Sequence, residues 1–251
     1  MSITNLTIQR LASDIKYLLN NPLENENIYY KHSEESILKG YALIIGNNDT
    51  PYSNGYFLFE FNFPENYPFS PPKIKYLTND GKMRFNPNLY VDGKVCLSIL
   101  NTWKGEGWTS SQTIYSILII LSSILNNQPL LNEPGININN KNIIPYNLLI
   151  SYKTIEFSII QQINLILTNN TNTNTNTNTN TNSKYIETLT LFKDIIFKNF
   201  KKNKQNILEN IKNLDKELIF YNNIIIVEIY NLNYILNIDT LKINLNKIKI
   251  E

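Results

Sequence analysis

The chain has 251 residues, 42% of them apolar, and its 23 basic and 21 acidic side chains leave a net charge of +2. That length holds one good-sized core plus an appendage, and so small a charge gives no field for gripping nucleic acid. A single cysteine, Cys96, excludes an internal disulfide and points to a reducing compartment; with one histidine, His32, it cannot build a zinc site of the usual kinds.

In chain order, Leu11, Ile15 and Leu18 recur at spacings of four and three. They mark the buried stripe of a first helix, with Arg10 and Asp14 on its other face, and Asn21-Pro22 ends it. No basic segment followed by an apolar core opens the chain, so no signal peptide is expected. His32, in a polar stretch, reads as a solvated surface residue. Ile37 to Ile45 reads as a strand, Gly46-Asn47-Asn48-Asp49 as a turn, and Gly55 to Phe63 as a second strand. In that second strand Phe57, Phe59, Phe61 and Phe63 alternate and share one face. The proline-rich run from Tyr67 to Pro72 is neither helix nor central strand. Lys73 to Leu77 follows as a short strand, and such closely spaced strands make an antiparallel meander.

Ser111 is positioned to cap a helix whose stripe is Ile114, Ile117, Leu118, Leu121, Ile124 and Leu125. Pro129 closes that region, and Pro145 suits the first turn of another helix reaching about Leu167. Residues 168–183 are almost purely Thr and Asn, with nothing apolar to bury, and are expected to be a flexible linker. Beyond it, Tyr185 to Tyr221 has helical periodicity, and residues 222–251 alternate Ile with polar residues in a way that fits one or two strands. The longest apolar stretch, Leu218 to Leu236, is interrupted by Asn222, Asn223, Glu228, Asn231 and Asn233, so no membrane span is expected. The division is therefore a core at 1–167, a linker at 168–183 and an extension at 184–251.

Cys96 is the residue that carries chemistry most plainly. A free cysteine is often only a small buried hydrophobe. Here, however, Asp92-Gly93 reads as a tight turn that sets the thiol beside a loop, and an Asn-Pro-Asn turn ends at Asn88, eight residues upstream. A nucleophile and a fixed amide donor are the minimum equipment for acyl transfer through a thioester.

These residues resemble the ubiquitin-conjugating enzyme family. Thr50-Pro51-Tyr52-Ser53-Asn54-Gly55 is similar to its TPYxxG turn, and the run from Phe63 to Pro72 to its FPxxYPFxPP loop. Val95-Cys96-Leu97-Ser98-Ile99-Leu100 resembles the catalytic segment, and Trp108-Thr109-Ser110 stands where Trp-Ser-Pro is usual. Asn86, in place of the usual histidine, the long Asn101 to Trp108 loop, and Asn132-Glu133-Pro134-Gly135 are similar to the Z-type conjugating enzymes and to the large conjugating enzyme fused to an inhibitor-of-apoptosis repeat. The resemblance spans roughly residues 4–165; the Thr-Asn tract and the Ile-rich tail lie outside it.

The resemblance implies an α+β fold: an N-terminal helix, a four-stranded antiparallel meander, a catalytic loop and C-terminal helices, here with a C-terminal extension. It implies that Cys96 takes ubiquitin or a ubiquitin-like modifier from an activating enzyme and passes it to a lysine of a protein substrate, with a ubiquitin ligase assisting. Asn88 corresponds to the amide that stabilises the oxyanion or braces the loop. Glu133 corresponds approximately to an acidic residue bordering the site, able to orient the incoming amine. Phe69, Thr109 and Ser110 resemble the ligase-binding loops, and Arg10 the helix surface read by the activating enzyme. No cofactor, metal, nucleic acid or membrane partner is expected, and the setting is cytoplasmic, with the nucleus as a second. Two other readings remain open: a non-catalytic ubiquitin-binding variant, which the presence of Cys96 argues against, and an interaction scaffold built on the extension.

Overall fold

The computed structural model describes residues 4–171 and 180–250; residues 172–179, the middle of the expected Thr-Asn linker, lie outside them. The chain forms two compact units, one of residues 1–44 and 57–126, the other of 45–56 and 127–251.

The first unit opens with helix α1, Asn5–Asn20, capped by Thr4, whose hydroxyl accepts the Thr7 N–H at 3.1 Å. Its buried stripe is Thr7, Leu11, Asp14 and Leu18. Asp14 therefore faces inward, contrary to the expectation that it lies on the solvent side. Its carboxylate is kept there by three donors: the Tyr67 phenol at 2.5 Å, Arg10 Nε at 2.9 Å and the Ile114 N–H at 3.4 Å. A buried carboxylate needs such partners to offset its lost hydration.

The sheet runs β1 (Ile28–His32), β2 (Lys39–Ile45), β3 (Tyr56–Asn62) and β4 (Lys73–Tyr76), neighbours in chain order. β1 pairs antiparallel with β2, Ile28 opposite Ile44 and His32 opposite Gly40; β3 pairs antiparallel with β4, Phe59 opposite Tyr76. β1 was not legible as a separate strand, and it changes the reading of His32. That ring is half-buried: Nδ1 lies 2.8 Å from the Tyr30 hydroxyl and Nε2 2.8 Å from the Ile37 carbonyl. Its desolvation lowers the imidazole pKa, only partly opposed by the Ile37 bond. β3 is buried on both faces from Tyr56 through Phe61.

Helix α2, Ile114–Ile124, buries the expected stripe. Its cap is Thr113 and not Ser111. The Thr113 hydroxyl accepts the Ser116 N–H at 3.2 Å and the Ser116 hydroxyl accepts the Thr113 N–H at 3.0 Å, a reciprocal capping box. α2 packs against α1.

The second unit is helical. α3, Ile143–Lys153, continues through wider turns at Thr154–Gln161 into α4, Gln162–Thr171. After α5, Asn180–Leu191, the 27-residue α6, Lys193–Ile219, buries Ile196, Phe200, Ile207, Ile211, Leu214 and Leu218 and packs against α3 and α4. The tail then forms a hairpin of β5, Ile224–Val227, and β6, Leu232–Ile235, followed by α7, Ile238–Lys247. The strand expectation for residues 222–251 thus holds for the hairpin and fails at α7, where Ile238, Leu241 and Leu245 share a helical face. Asn237 starts that helix by accepting the Thr240 N–H at 2.9 Å.

The extension also fastens the 45–56 turn. Tyr56, fully buried, donates its hydroxyl to the Ile196 carbonyl at 3.3 Å. Asn54 Nδ2 donates to Asn206 Oδ1 at 2.8 Å, and Asn210 Nδ2 to the Ser53 hydroxyl at 3.0 Å. The compact units consequently do not divide at the Thr-Asn tract.

Candidate active site

The thiol segment is a tight hairpin within the first unit. Asp92-Gly93 makes its turn: Asp92 Oδ1 accepts the Lys94 N–H at 2.9 Å and the Gly93 N–H returns to the Tyr90 carbonyl at 2.9 Å. Gly93 has φ +89°, and a Cβ there would sit 2.8 Å from the Tyr76 carbonyl oxygen, so only glycine lets the turn dock on β4. The Tyr90 N–H donates to Lys94 O at 3.0 Å and the Cys96 N–H to Asn88 O at 2.9 Å. Hairpin pairing thus explains why residues eight apart meet.

Asn88 closes the pair from the other side, its side-chain Nδ2 donating to the Cys96 carbonyl at 2.7 Å. Amide nitrogen carries two hydrogens, and this bond uses one. Asn86 holds Asn88 in turn. It is fully buried, its Oδ1 accepts the Asn88 N–H at 2.9 Å and its Nδ2 donates to the Ile124 carbonyl at 2.7 Å. Both ends of the Asn86 amide are therefore used to fix the loop.

Cys96 itself is 3% exposed. Burial of this kind is equally what a structural thiol shows; what distinguishes Cys96 is the bracing on both of its flanks. Sequence reasoning missed half of it. The Thr102 hydroxyl accepts the Leu97 N–H at 2.9 Å and lies 2.8 Å from the Val95 carbonyl, to which it donates. One hydroxyl thus pins the backbone immediately before and after the thiol. Its only sequence trace is a threonine six residues past Cys96. Among the described residues, no group of three or more His, Cys, Asp or Glu side chains is arranged to hold a metal ion.

Phe69 is 66% exposed on its proline-rich loop. Thr109 and Ser110 are exposed, and the two loops are tied together by the Trp108 indole, which donates to the Pro68 carbonyl at 2.6 Å. Arg10 does not stand free on the helix surface. Its guanidinium donates to the Ser110 and Gln112 carbonyls, each at 2.5 Å, as well as to Asp14. It also lies over the Tyr67 ring, 5.5 Å from its centroid. Burial, then the bond to Asp14, raises the Tyr67 phenol far above its usual range, so it remains a donor. The Thr7 hydroxyl meets the Glu65 and Tyr67 carbonyls at 2.7 and 2.8 Å. α1 thereby holds both loops.

Glu133 belongs to the second unit, and Cys96 to the first. It sits on a turn: its N–H donates to Leu130 O at 3.0 Å, and its carbonyl accepts the Ile136 N–H at 3.2 Å. Its Oε2 accepts the phenol of Tyr230 at 2.5 Å. The sequence gives no sign of this partner, which lies 97 residues away in the extension.

Comparison with known proteins bears on this arrangement. A family model described as ubiquitin-conjugating enzyme matches residues 10–147. Ubiquitin-conjugating enzyme E2 Z of Xenopus tropicalis is 41% identical over 133 residues, covering 53% of this chain and 42% of the relative. The human dual E2 ubiquitin-conjugating enzyme/E3 ubiquitin-protein ligase BIRC6 is 44% identical over 135 residues, 51% of this chain and 3% of that protein. The chain thus spans less than half the length of these relatives. Among solved structures, human ubiquitin-conjugating enzyme E2 G1 aligns at 32% identity with a TM-score of 0.41, over 46% of this chain and 90% of that one.

Proposed function

This chain belongs to the ubiquitin-conjugating enzyme family, and from that premise we propose that Cys96 carries ubiquitin or a ubiquitin-like modifier as a thioester and delivers it to a lysine. The single observation that supports this most is the doubly braced thiol: Asn88 and Thr102 hold the backbone around Cys96 at 2.7–2.9 Å. Such fixing holds the backbone on both sides of the thiol in one geometry, as an attacking group needs.

In loading, the Cys96 sulfur attacks the thioester carbonyl presented by the activating enzyme. A new C–S bond forms, the old one breaks, and the proton of the Cys96 thiol passes to the departing thiol. In discharge, the lysine nitrogen attacks the same carbonyl, an oxyanion forms, and the C–S bond breaks to leave an isopeptide bond and the Cys96 sulfur. The second N–H of Asn88 is the donor available to that oxyanion, a contribution typically worth about 10²–10³ in rate. Glu133 is assigned the acceptor side, where a carboxylate orients the amine and takes its proton. Phe69, Thr109 and Ser110 offer an exposed surface to a ligase. Arg10 serves the activating-enzyme surface by shaping the 110–112 loop. A lone thiol fits a reducing compartment, and we place the protein in the cytoplasm and nucleus on that ground.

A non-reducing gel after incubation with activating enzyme, ATP and ubiquitin tests the proposal. The wild-type chain gains a band that reductant removes, and Cys96→Ala gains none. A band that survives in Cys96→Ala would move the chemistry off this residue, and no band in the wild-type chain would leave the scaffold reading.

A further inference from the structure

The extension has no counterpart in the motif resemblance, yet one short piece of it reaches a residue assigned to the reaction. Between β5 and β6 the chain makes a single helical turn, Glu228–Tyr230, closed by Asn231 in the left-handed region at φ +52°. Four contacts join this turn to residues 133–146. The Tyr230 phenol donates to Glu133 Oε2 at 2.5 Å. The Tyr230 ring packs against the Tyr146 ring, with centroids 5.5 Å apart. The Glu228 N–H donates to Asn142 Oδ1 at 2.8 Å, and Asn142 is buried. The Lys141–Glu228 ion pair at 2.6 Å is exposed on both sides and adds little. β5 itself packs along α3.

We propose that Tyr230 is a positioning residue for Glu133. The inference rests on the assignment of Glu133 to amine orientation. A half-buried glutamate on a turn still samples several rotamers, and only some present an oxygen to an arriving amine. A phenol bonded to Oε2 restricts those rotamers and leaves Oε1 as the oxygen for an amine. The hydroxyl is itself held, because Tyr146 anchors the ring and Asn142 anchors the turn that carries it. A charge-assisted bond from a fixed donor is stronger than a neutral one, so losing it is read in the rate. The proposal gives the extension a part in transfer to lysine and none in loading, where Cys96 is the attacking group.

Tyr230→Phe removes the hydroxyl and keeps the ring. In the full chain, loading should be unchanged and discharge to free lysine slowed about three- to tenfold, the kinetic equivalent of one such bond. Glu133→Gln alone should slow discharge by about tenfold. In the double variant, Tyr230→Phe should add nothing further. Amide exchange over residues 133–142 should quicken in Tyr230→Phe while the melting temperature holds. If Glu133→Gln discharges normally, the assignment of Glu133 fails and takes the proposal with it. If Glu133→Gln is slow and Tyr230→Phe is not, the assignment stands and the proposal alone is overturned. Equal losses in loading and discharge with a lower melting temperature, or an undiminished Tyr230→Phe effect in the Glu133→Gln background, would make Tyr230 a folding residue only.

Discussion

Asn88 performs two tasks with one amide. In the resting chain its Nδ2 donates to the Cys96 carbonyl, so part of its value is structural. Asn88→Ala therefore loses about 1 kcal/mol of stability from that bond. If the second N–H also serves the oxyanion, discharge to lysine falls about 10²-fold while loading falls much less. Single-turnover loading and discharge, measured with the melting temperature, decide this; equal losses in both steps would leave Asn88 a brace alone. Legibility at this scale followed sequence distance. Asn86, Asn88 and Cys96 sit within eleven residues and announce themselves as a motif. His32 and Asp14 do not, because a polar residue turned inward looks the same in sequence as one turned outward. Only the partners, Ile37 O for one and Tyr67 with Arg10 for the other, reveal the difference.

α1 acts as a strut for two loops. Thr7 fixes the 65–67 segment and Arg10 fixes residues 110–112, while the pair Arg10–Asp14 is largely buried, with side-chain exposures of 20% and 5%. Arg10→Ala removes the cation and leaves the Asp14 carboxylate inside with one fewer partner. The cost should be about 2–4 kcal/mol by chemical denaturation. Ligase-stimulated discharge should drop further than unassisted discharge, because the 109–112 loop loses its anchor. A variant with wild-type stability and normal ligase response would show the clamp to be idle. The helix was legible from its period, and so was α2, but their fine placement was not. Thr113 displaced Ser111 as the cap because it alone has Ser116 three residues on to return the bond. In β3 the alternating phenylalanines marked one buried face, and the burial of Leu58 and Glu60 on the other was not legible.

Across the whole chain, the α+β plan, the meander and the turn before Cys96 could be read from local pattern and motif order. The partners of the extension could not, since its contacts with residues 53–56 and 133–146 join positions about 85 to 160 residues apart. That packing sets the expected result of cutting the chain after Leu167. The cut removes Ile196, Phe200, Ile207, Ile211, Leu214 and Leu218 from the second unit, each worth about 1.5–3 kcal/mol of burial. The fragment should bind an apolar dye and melt earlier than the full chain, while still loading at low temperature, since the whole Cys96 hairpin lies in the first unit. A fragment as stable as the full chain would mean the extension contributes nothing to the fold. The most direct test of the central claim is the intact mass of the full chain after incubation with activating enzyme, ATP and ubiquitin. The account predicts a gain of one ubiquitin less one water, removed by thiol reductant and absent from Cys96→Ala. An unchanged mass, or an adduct that resists reductant, would contradict thioester transfer at Cys96.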